Sequence, residues 1–292
     1  MLKKIDLFIV GAQKCATTSL KNYMSEHPDI NGQIQTEMTY FTNDVEFEQG
    51  FDSAFIKYFS KEKEDAKVRI AKYVSLCVIE TGLQRLKEHN PDCKIILMIR
   101  NPVDRALSSF AMEKSIGTEN RSFDEAIVDI LNDKIGWQYR AIIKYGFYIE
   151  LIKTILKYFD ANNLKIVILE EFKENPQTVL SDIFDWINVD HEFMPQYTKV
   201  HNQGGNPKSK VYRKFLNVFM NEKNLIKQML KKILPNQLTS KIGFELRQLN
   251  KDIKNKEIIL QGTRDLLNDI YEPYNKELAD FMSREHPIWA RK

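Results

Sequence analysis

The chain has 292 residues, 43% of them hydrophobic, which is enough to build one large α/β core. Charged residues make up 28%, yet the formal net charge is only +3, a field too weak for nucleic acid to be the main partner. Three cysteines, Cys15, Cys77 and Cys93, are odd in number and lack a C-x-x-C pair, which excludes a disulfide framework or structural zinc and suits a reducing compartment.

Leu7-Phe8-Ile9-Val10 is a β-rich run that stops at Gly11. From Thr17, the residues Leu20, Tyr23 and Met24 recur at helical spacing up to His27-Pro28, so the opening unit reads strand, tight loop, helix. Its apolar run is too short for a signal h-region, and no later stretch approaches the ~20 apolar residues of a membrane span. A soluble, cytoplasmic protein is the expectation. Gln49 to Lys67 is charged helix or loop, and Thr81 to His89 predicts a short helix leading to the Asn90-Pro91 turn.

A second strand, Ile95 to Ile99, ends at Arg100-Asn101-Pro102, where proline opens a helix carrying Ala106, Leu107, Phe110 and Ala111. The amphipathic segment Tyr148 to Phe159 leads to a third strand, Leu164 to Leu169, then to a helix from about Pro176 to Ile187. His201 to Pro207 is a loop, followed by a lysine-rich amphipathic stretch to Pro235 whose basic face is wet. Leu266 to Met282 is helical, with a kink or break predicted across Tyr271 to Asn275 at Pro273. Apolar strands alternating with helices predict a single α/β domain over residues 1–292. Its expected form is a three-layer, P-loop-like fold in which helices flank a central parallel sheet and ligands meet the carboxyl ends of the strands.

Two loops at such ends carry chemistry. Gly11-Ala12-Gln13-Lys14-Cys15-Ala16-Thr17-Thr18-Ser19 lies between strand and helix, where backbone N–H groups and the positive helix end face an anion. An ATP-type P-loop needs a second glycine followed directly by lysine and then serine or threonine. Here lysine precedes the Thr-Thr pair, so that pattern fails. Lys14-Cys15-Ala16-Thr17-Thr18 instead resembles the 5′-phosphosulfate loop of sulfotransferases that use 3′-phosphoadenosine 5′-phosphosulfate (PAPS), with Ala16 in place of the usual glycine. The second loop, Arg100 to Ser108, resembles the same family's 3′-phosphate motif: an arginine ending a strand and a serine two helical turns on.

The resemblance to this family, in its bacterial and glycan-type branch, implies a PAPS site made of Gln13, Lys14, Cys15, Ala16, Thr17, Thr18, Ser19, Arg100 and Ser108. It also implies sulfuryl transfer to a hydroxyl or amine of a small molecule or glycan, with 3′-phosphoadenosine 5′-phosphate (PAP) as product and no metal. Lys14 is the group expected to neutralise the departing phosphate. Thr36-Glu37-Met38-Thr39-Tyr40-Phe41 resembles the glycan-type segment that carries a glutamate base, which makes Glu37 the candidate base although Thr36 stands where relatives have lysine. Lys72 resembles the family lysine that begins the next strand and faces the acceptor.

Lys208 and Lys210 resemble a proline-basic-serine segment and could meet the 3′-phosphate or an anionic acceptor; the plainer reading is a solvated helix start. His201 rivals Glu37 as base. His27 reads as a helix cap, and His89, His191 and His286 sit in polar or turn-like segments with no partner in view. Acceptor selection is expected from Gln33 to Phe41, Lys72 to Val78, Gly117 to Tyr139 and His201 to Lys210, segments that look irregular. A P-loop kinase and a non-catalytic module binding nucleotides or polyanions remain the alternatives.

Overall fold

The computed structural model describes residues 4–196, 206–207, 251–252 and 259–289. These divide into two compact units, one drawn from Met1–Arg105, Tyr145–Asn202 and Asp269–Lys292, the other from Ala106–Lys144 and Gln203–Asn268. Among the described residues no helix is long and apolar enough to cross a membrane.

The first unit is built on five strands: β1 (Leu7–Gly11), β2 (Ile30–Gly32), β3 (Val68–Lys72), β4 (Lys94–Ile99) and β5 (Leu164–Ile168). Every pairing is parallel, in the order β2-β3-β1-β4-β5, so the expected central parallel sheet is present and β1 lies in its middle. All five residues of β1 are buried, as an unbroken apolar run between two helical layers requires. The helices are α1 (Thr17–Glu26), α2 (Asp44–Glu48), α3 (Phe51–Tyr58), α4 (Glu80–His89), α5 (Pro102–Ile116), α6 (Phe123–Asn132), α7 (Tyr148–Leu156), α8 (Leu169–Glu174), α9 (Pro176–Trp186) and α10 (Gln261–Phe281).

Local chemistry explains the boundaries that matter for the site. α1 buries Leu20, Tyr23 and Met24 on one face and ends where the Lys63 ammonium donates to the carbonyls of Ser25, His27 and Ile30 at 2.8, 2.9 and 3.2 Å. A cation there satisfies carbonyls that the helix leaves orphaned. α7 buries Tyr148, Ile149, Leu151, Ile152 and Ile155. α9 starts at Pro176, with the Asn175 side chain accepting from the Thr178 N–H.

Two expectations change. Of the kink or break predicted at Pro273, the break is absent: α10 runs through it, and Tyr271 and Tyr274 pack on Phe147 with ring centroids 5.5 and 4.0 Å away. Proline removes one backbone bond, and side-chain packing on both sides of it keeps the helix together. The segment from Gly117 to Tyr139, read as irregular, contains α6. Its Ser122 and Glu125 form a reciprocal capping box ahead of buried Phe123, Ala126, Ile127 and Ile130. In this second unit Phe110 meets Phe123 edge to face at 5.0 Å, and Ser109 Oγ donates to the Ala141 carbonyl at 3.1 Å.

Gly11 ends β1 in a crowded place, because a Cβ there would lie 2.7 Å from Cys77 Sγ and 3.1 Å from the Val74 carbonyl oxygen. Gly11→Ala is therefore expected to cost about 1–3 kcal/mol, read as a lower denaturant midpoint at unchanged m-value.

Candidate active site

The carboxyl ends of β3, β1 and β4 lie side by side, and each delivers part of the site. From β1 the chain enters a tight loop in which Lys14 and Ala16 take left-handed backbone angles, φ 73° and φ 60°. The Ala12 N–H bonds the Met98 carbonyl at 2.8 Å, while the Ser19 and Leu20 N–H groups fold back onto the Ala16 carbonyl at 2.9 and 3.2 Å. Thr17 and Thr18 open α1, at positions whose N–H groups a helix leaves without an acceptor of its own. The expected anion cradle is thus a strand, a left-handed turn and a helix start.

The side chains of that loop divide. Thr17 and Ser19 are buried, whereas Gln13, Lys14, Ala16 and Thr18 are half-buried. The Gln13 Oε1 is buried with no hydrogen-bond partner among the described residues. Cys15 is fully buried, and burial pushes its thiol up to about 11; its Sγ lies 3.8 Å from the Tyr148 hydroxyl. Cys15 is left to contribute to a ligand through its backbone.

β4 delivers Arg100, whose Nη1 donates to the Lys14 carbonyl at 3.2 Å and ties the second loop to the first. Its Nε is buried without a partner among the described residues. The turn after it is held from both sides. Asn101 Oδ1 accepts from the N–H groups of Val103 and Asp104, and the Asn101 N–H donates to Glu170, whose other oxygen accepts from Trp289 Nε1. Ser108 sits half-buried on α5 within the second unit. Lys208, Lys210 and His201 lie outside the described residues.

β3 delivers Lys72, and here the sequence expectation is corrected: the residue ends its strand instead of beginning one. The apolar alternation of Val68, Ile70 and Ala71 runs up to it, and Tyr73 still bonds the Ile9 carbonyl of β1. The Lys72 side chain is 0% exposed and its Nζ lies 2.5 Å from Glu37 Oε1, while Glu37 Oε2 accepts from the Val74 N–H at 3.1 Å and the Glu37 side chain is 29% exposed. Burial lowers the Lys72 pKa, and the Glu37 charge and hydrogen bond oppose that shift.

Sequence reasoning missed three residues here. Lys21, one turn after Thr17 on α1, donates to the Gln33 carbonyl at 2.9 Å; burial first, then the Lys72 charge, hold its pKa at about 8, with Glu37 acting the other way. Its i+4 spacing from Thr17 was the available signal. Gln33 is buried and grips the Lys72 backbone. Arg105 is fully buried, and its charge acts on Cys15 and Tyr148.

The family model described as "Sulfotransferase domain" matches residues 4–234. The chain belongs to the sulfotransferase domain family. Among curated relatives it is 21% identical to the bifunctional heparan sulfate N-deacetylase/N-sulfotransferase 1 of Caenorhabditis briggsae, over 63% of this chain and 22% of that protein. It is 25% identical to the human heparan sulfate glucosamine 3-O-sulfotransferase 6, over 62% of this chain and 51% of that protein. The chain therefore spans about half the length of these relatives or less. A solved sulfotransferase from Alicyclobacillus acidocaldarius shares the fold at TM-score 0.64 and 21% identity, covering 97% of this chain and 98% of that one.

In this member of the family two histidines expected to stand alone have partners. His89 Nε2 accepts the Ile5 N–H at 3.0 Å under the Phe51 ring, 4.2 Å between centroids, and burial pulls its pKa down to about 4. His286 Nε2 lies 3.5 Å from Glu272. His27 is the C-cap of α1, fully buried between Phe184 and Phe193, with Nδ1 accepting the Asp29 N–H.

Two outcomes follow from this geometry. Left-handed angles cost a residue with a Cβ about 1–2 kcal/mol, so Ala16→Gly is expected to raise unfolding stability by about 1 kcal/mol in equilibrium denaturation. Lys21 has a folded pKa of about 8 against an ordinary 10.5, so between those values the unfolded chain holds a proton that the folded chain has lost. That contribution to stability therefore rises with pH across the window. Melting curves of the wild type and Lys21→Met compared from pH 7 to 10 should show a wild-type stability that gains on the variant's as pH rises, the other titrating groups being common to both.

Proposed function

We propose that the chain is a PAPS-dependent sulfotransferase acting, as one domain over residues 1–292, on a hydroxyl or amine of a carbohydrate or small molecule. The observation that carries this reading is the joining of the two anion loops: the Arg100 guanidinium bonds the Lys14 carbonyl and keeps a buried Nε with no partner among the described residues. A buried guanidinium N–H without an acceptor is costly, and a phosphate oxygen is the acceptor that the arginine fork matches. The residues fit the donor. Gln13 to Ser19 would hold its 5′-phosphosulfate through N–H groups and hydroxyls, and Arg100 its 3′-phosphate.

PAPS supplies an activated sulfuryl group on a good leaving phosphate. Lys14 places positive charge where that phosphate leaves, where it is worth most. Glu37 is held by Lys72 and the Val74 N–H through one contact on each oxygen, which leaves lone pairs and an exposed flank for an acceptor O–H or N–H. The acceptor atom bonds to sulfur as the bond from sulfur to the phosphate oxygen breaks. Its electron pair leaves on PAP, and the acceptor proton passes to Glu37. His201 takes the base role should Glu37 prove dispensable.

The curated relatives carry heparan sulfate and its glucosamine in their names, which supports a carbohydrate acceptor, oxygen or nitrogen. Three buried free cysteines, Cys15, Cys77 and Cys93, support a reducing, cytoplasmic setting.

Calorimetric titration with PAP, run beside ATP with magnesium, tests the donor. Magnesium-independent binding of PAP alone is expected; preference for ATP would return the chain to the kinase alternative, and PAP binding without transfer to any acceptor would favour the non-catalytic module. Arg100→Lys should weaken PAP by roughly 10–100-fold through loss of the bidentate fork. Glu37→Gln should lower sulfuryl transfer by roughly 10²–10⁴-fold with PAP affinity unchanged.

A further inference from the structure

The pair of buried Lys72 and partly exposed Glu37 has to be held in register by something other than the sheet, because β2 stops too early. β2 pairs with β3 from Ile30↔Val68 to Gly32↔Ile70, and the Gln33 N–H adds one further bond to the Ile70 carbonyl at 3.0 Å. Two residues on, the backbone N–H and C=O of Lys72 face the same side with no strand beside them. The Gln33 side chain fills that gap: its Oε1 accepts the Lys72 N–H at 2.6 Å and its Nε2 donates to the Lys72 carbonyl at 3.1 Å and to the Gln35 carbonyl at 3.1 Å. A primary amide carries the donor and acceptor of a peptide group, so it can extend a ladder by one rung where no backbone is available.

The same rung organises what surrounds it. The Met38 N–H also meets the Lys72 carbonyl, at 2.8 Å, which folds the segment 33–38 around the strand end and sets Glu37 against the ammonium. The Gln33 carbonyl takes the Lys21 ammonium at 2.9 Å. The charged groups whose fields act on one another there are Lys21, Lys72 and Glu37.

From this juxtaposition we infer that Gln33 is a positioning residue for sulfuryl transfer: its side-chain amide fixes the Lys72 backbone, and through it the ammonium that orients the Glu37 base. The inference rests on the reading of Glu37 as base. It predicts that loss of the amide loosens the pair while leaving the two phosphate loops, which Gln33 does not touch in these contacts, at full strength.

The test uses the full chain with ¹³Cε-labelled lysine, the Lys72 signal being assigned by its absence in Lys72→Met. Lys72 loses proton affinity on burial and regains part of it from Glu37, so a loosened pair lowers its titration midpoint further. Gln33→Met, similar in volume but without polar atoms, is expected to lower that midpoint by about one unit, a tenfold loss of proton affinity. Glu37→Gln should move it the same way, and PAP binding should stay within about twofold of wild type. Gln33→Asn keeps an amide that is one methylene too short to meet both Lys72 groups, and is expected to fall between. An unchanged Lys72 midpoint in folded Gln33→Met or Gln33→Asn would overturn the inference, as would failure of both variants to fold, which would make Gln33 a folding residue only. Loss of PAP binding in the wild type would instead strike the donor assignment, independently of this result.

Discussion

A parallel strand buried on both faces can present polar chemistry only at its ends, and β1 is such a strand at the centre of this sheet. Its neighbours β3 and β4 end at the same edge, so one loop from each of three adjacent strands meets there. Lys14 follows β1, Arg100 follows β4, and Lys72 closes β3. The chain order of the strands, with β1 between the third and fourth, opens the crevice in which α/β proteins of this kind bind their ligands.

Charge balance at that edge is uneven by construction. Lys72 has no exposure, and an ammonium removed from water without a partner would cost several kcal/mol. Glu37 is that partner, and it remains partly exposed where an acceptor would arrive. Lys21 adds a second cation near the same carboxylate, held by burial and by Lys72 at a pKa far below the ordinary lysine value. Two ammoniums around one carboxylate leave this corner of the sheet edge with an excess of positive charge. The loops after β1 and β4 contribute differently. They offer N–H groups, hydroxyls and the Arg100 fork, and they are joined by the bond from Arg100 to the Lys14 carbonyl.

The left-handed turn at Lys14 and Ala16 shows how such a loop tolerates a non-glycine residue. Alanine fits the conformation at modest strain, and the bonds from Ser19 and Leu20 to the Ala16 carbonyl hold it there as α1 begins. A strained turn retained at the one point where a phosphate would sit is the kind of local conflict expected at a functional site.

Read alone, the sequence determined the strand-loop-helix units that start from Leu7–Val10 and Ile95–Ile99, with the Lys14 and Arg100 loops that follow them; Glu37 came from family resemblance. The units and loops are short-range features, written in apolar periodicity, proline and glycine positions, and local motif order. It did not reveal β2, whose three residues are too few to show a period, nor that α10 passes through Pro273. Nor did it place Lys72 at the end of its strand or give His89 its partner at Ile5. Only the tertiary structure decided the Lys21–Gln33–Lys72–Glu37 cluster. Its members come from a helix, the end of a short edge strand, a central strand and a loop. Their contacts depend on where β2 stops relative to β3, a register set by long-range pairing that no window of the sequence contains.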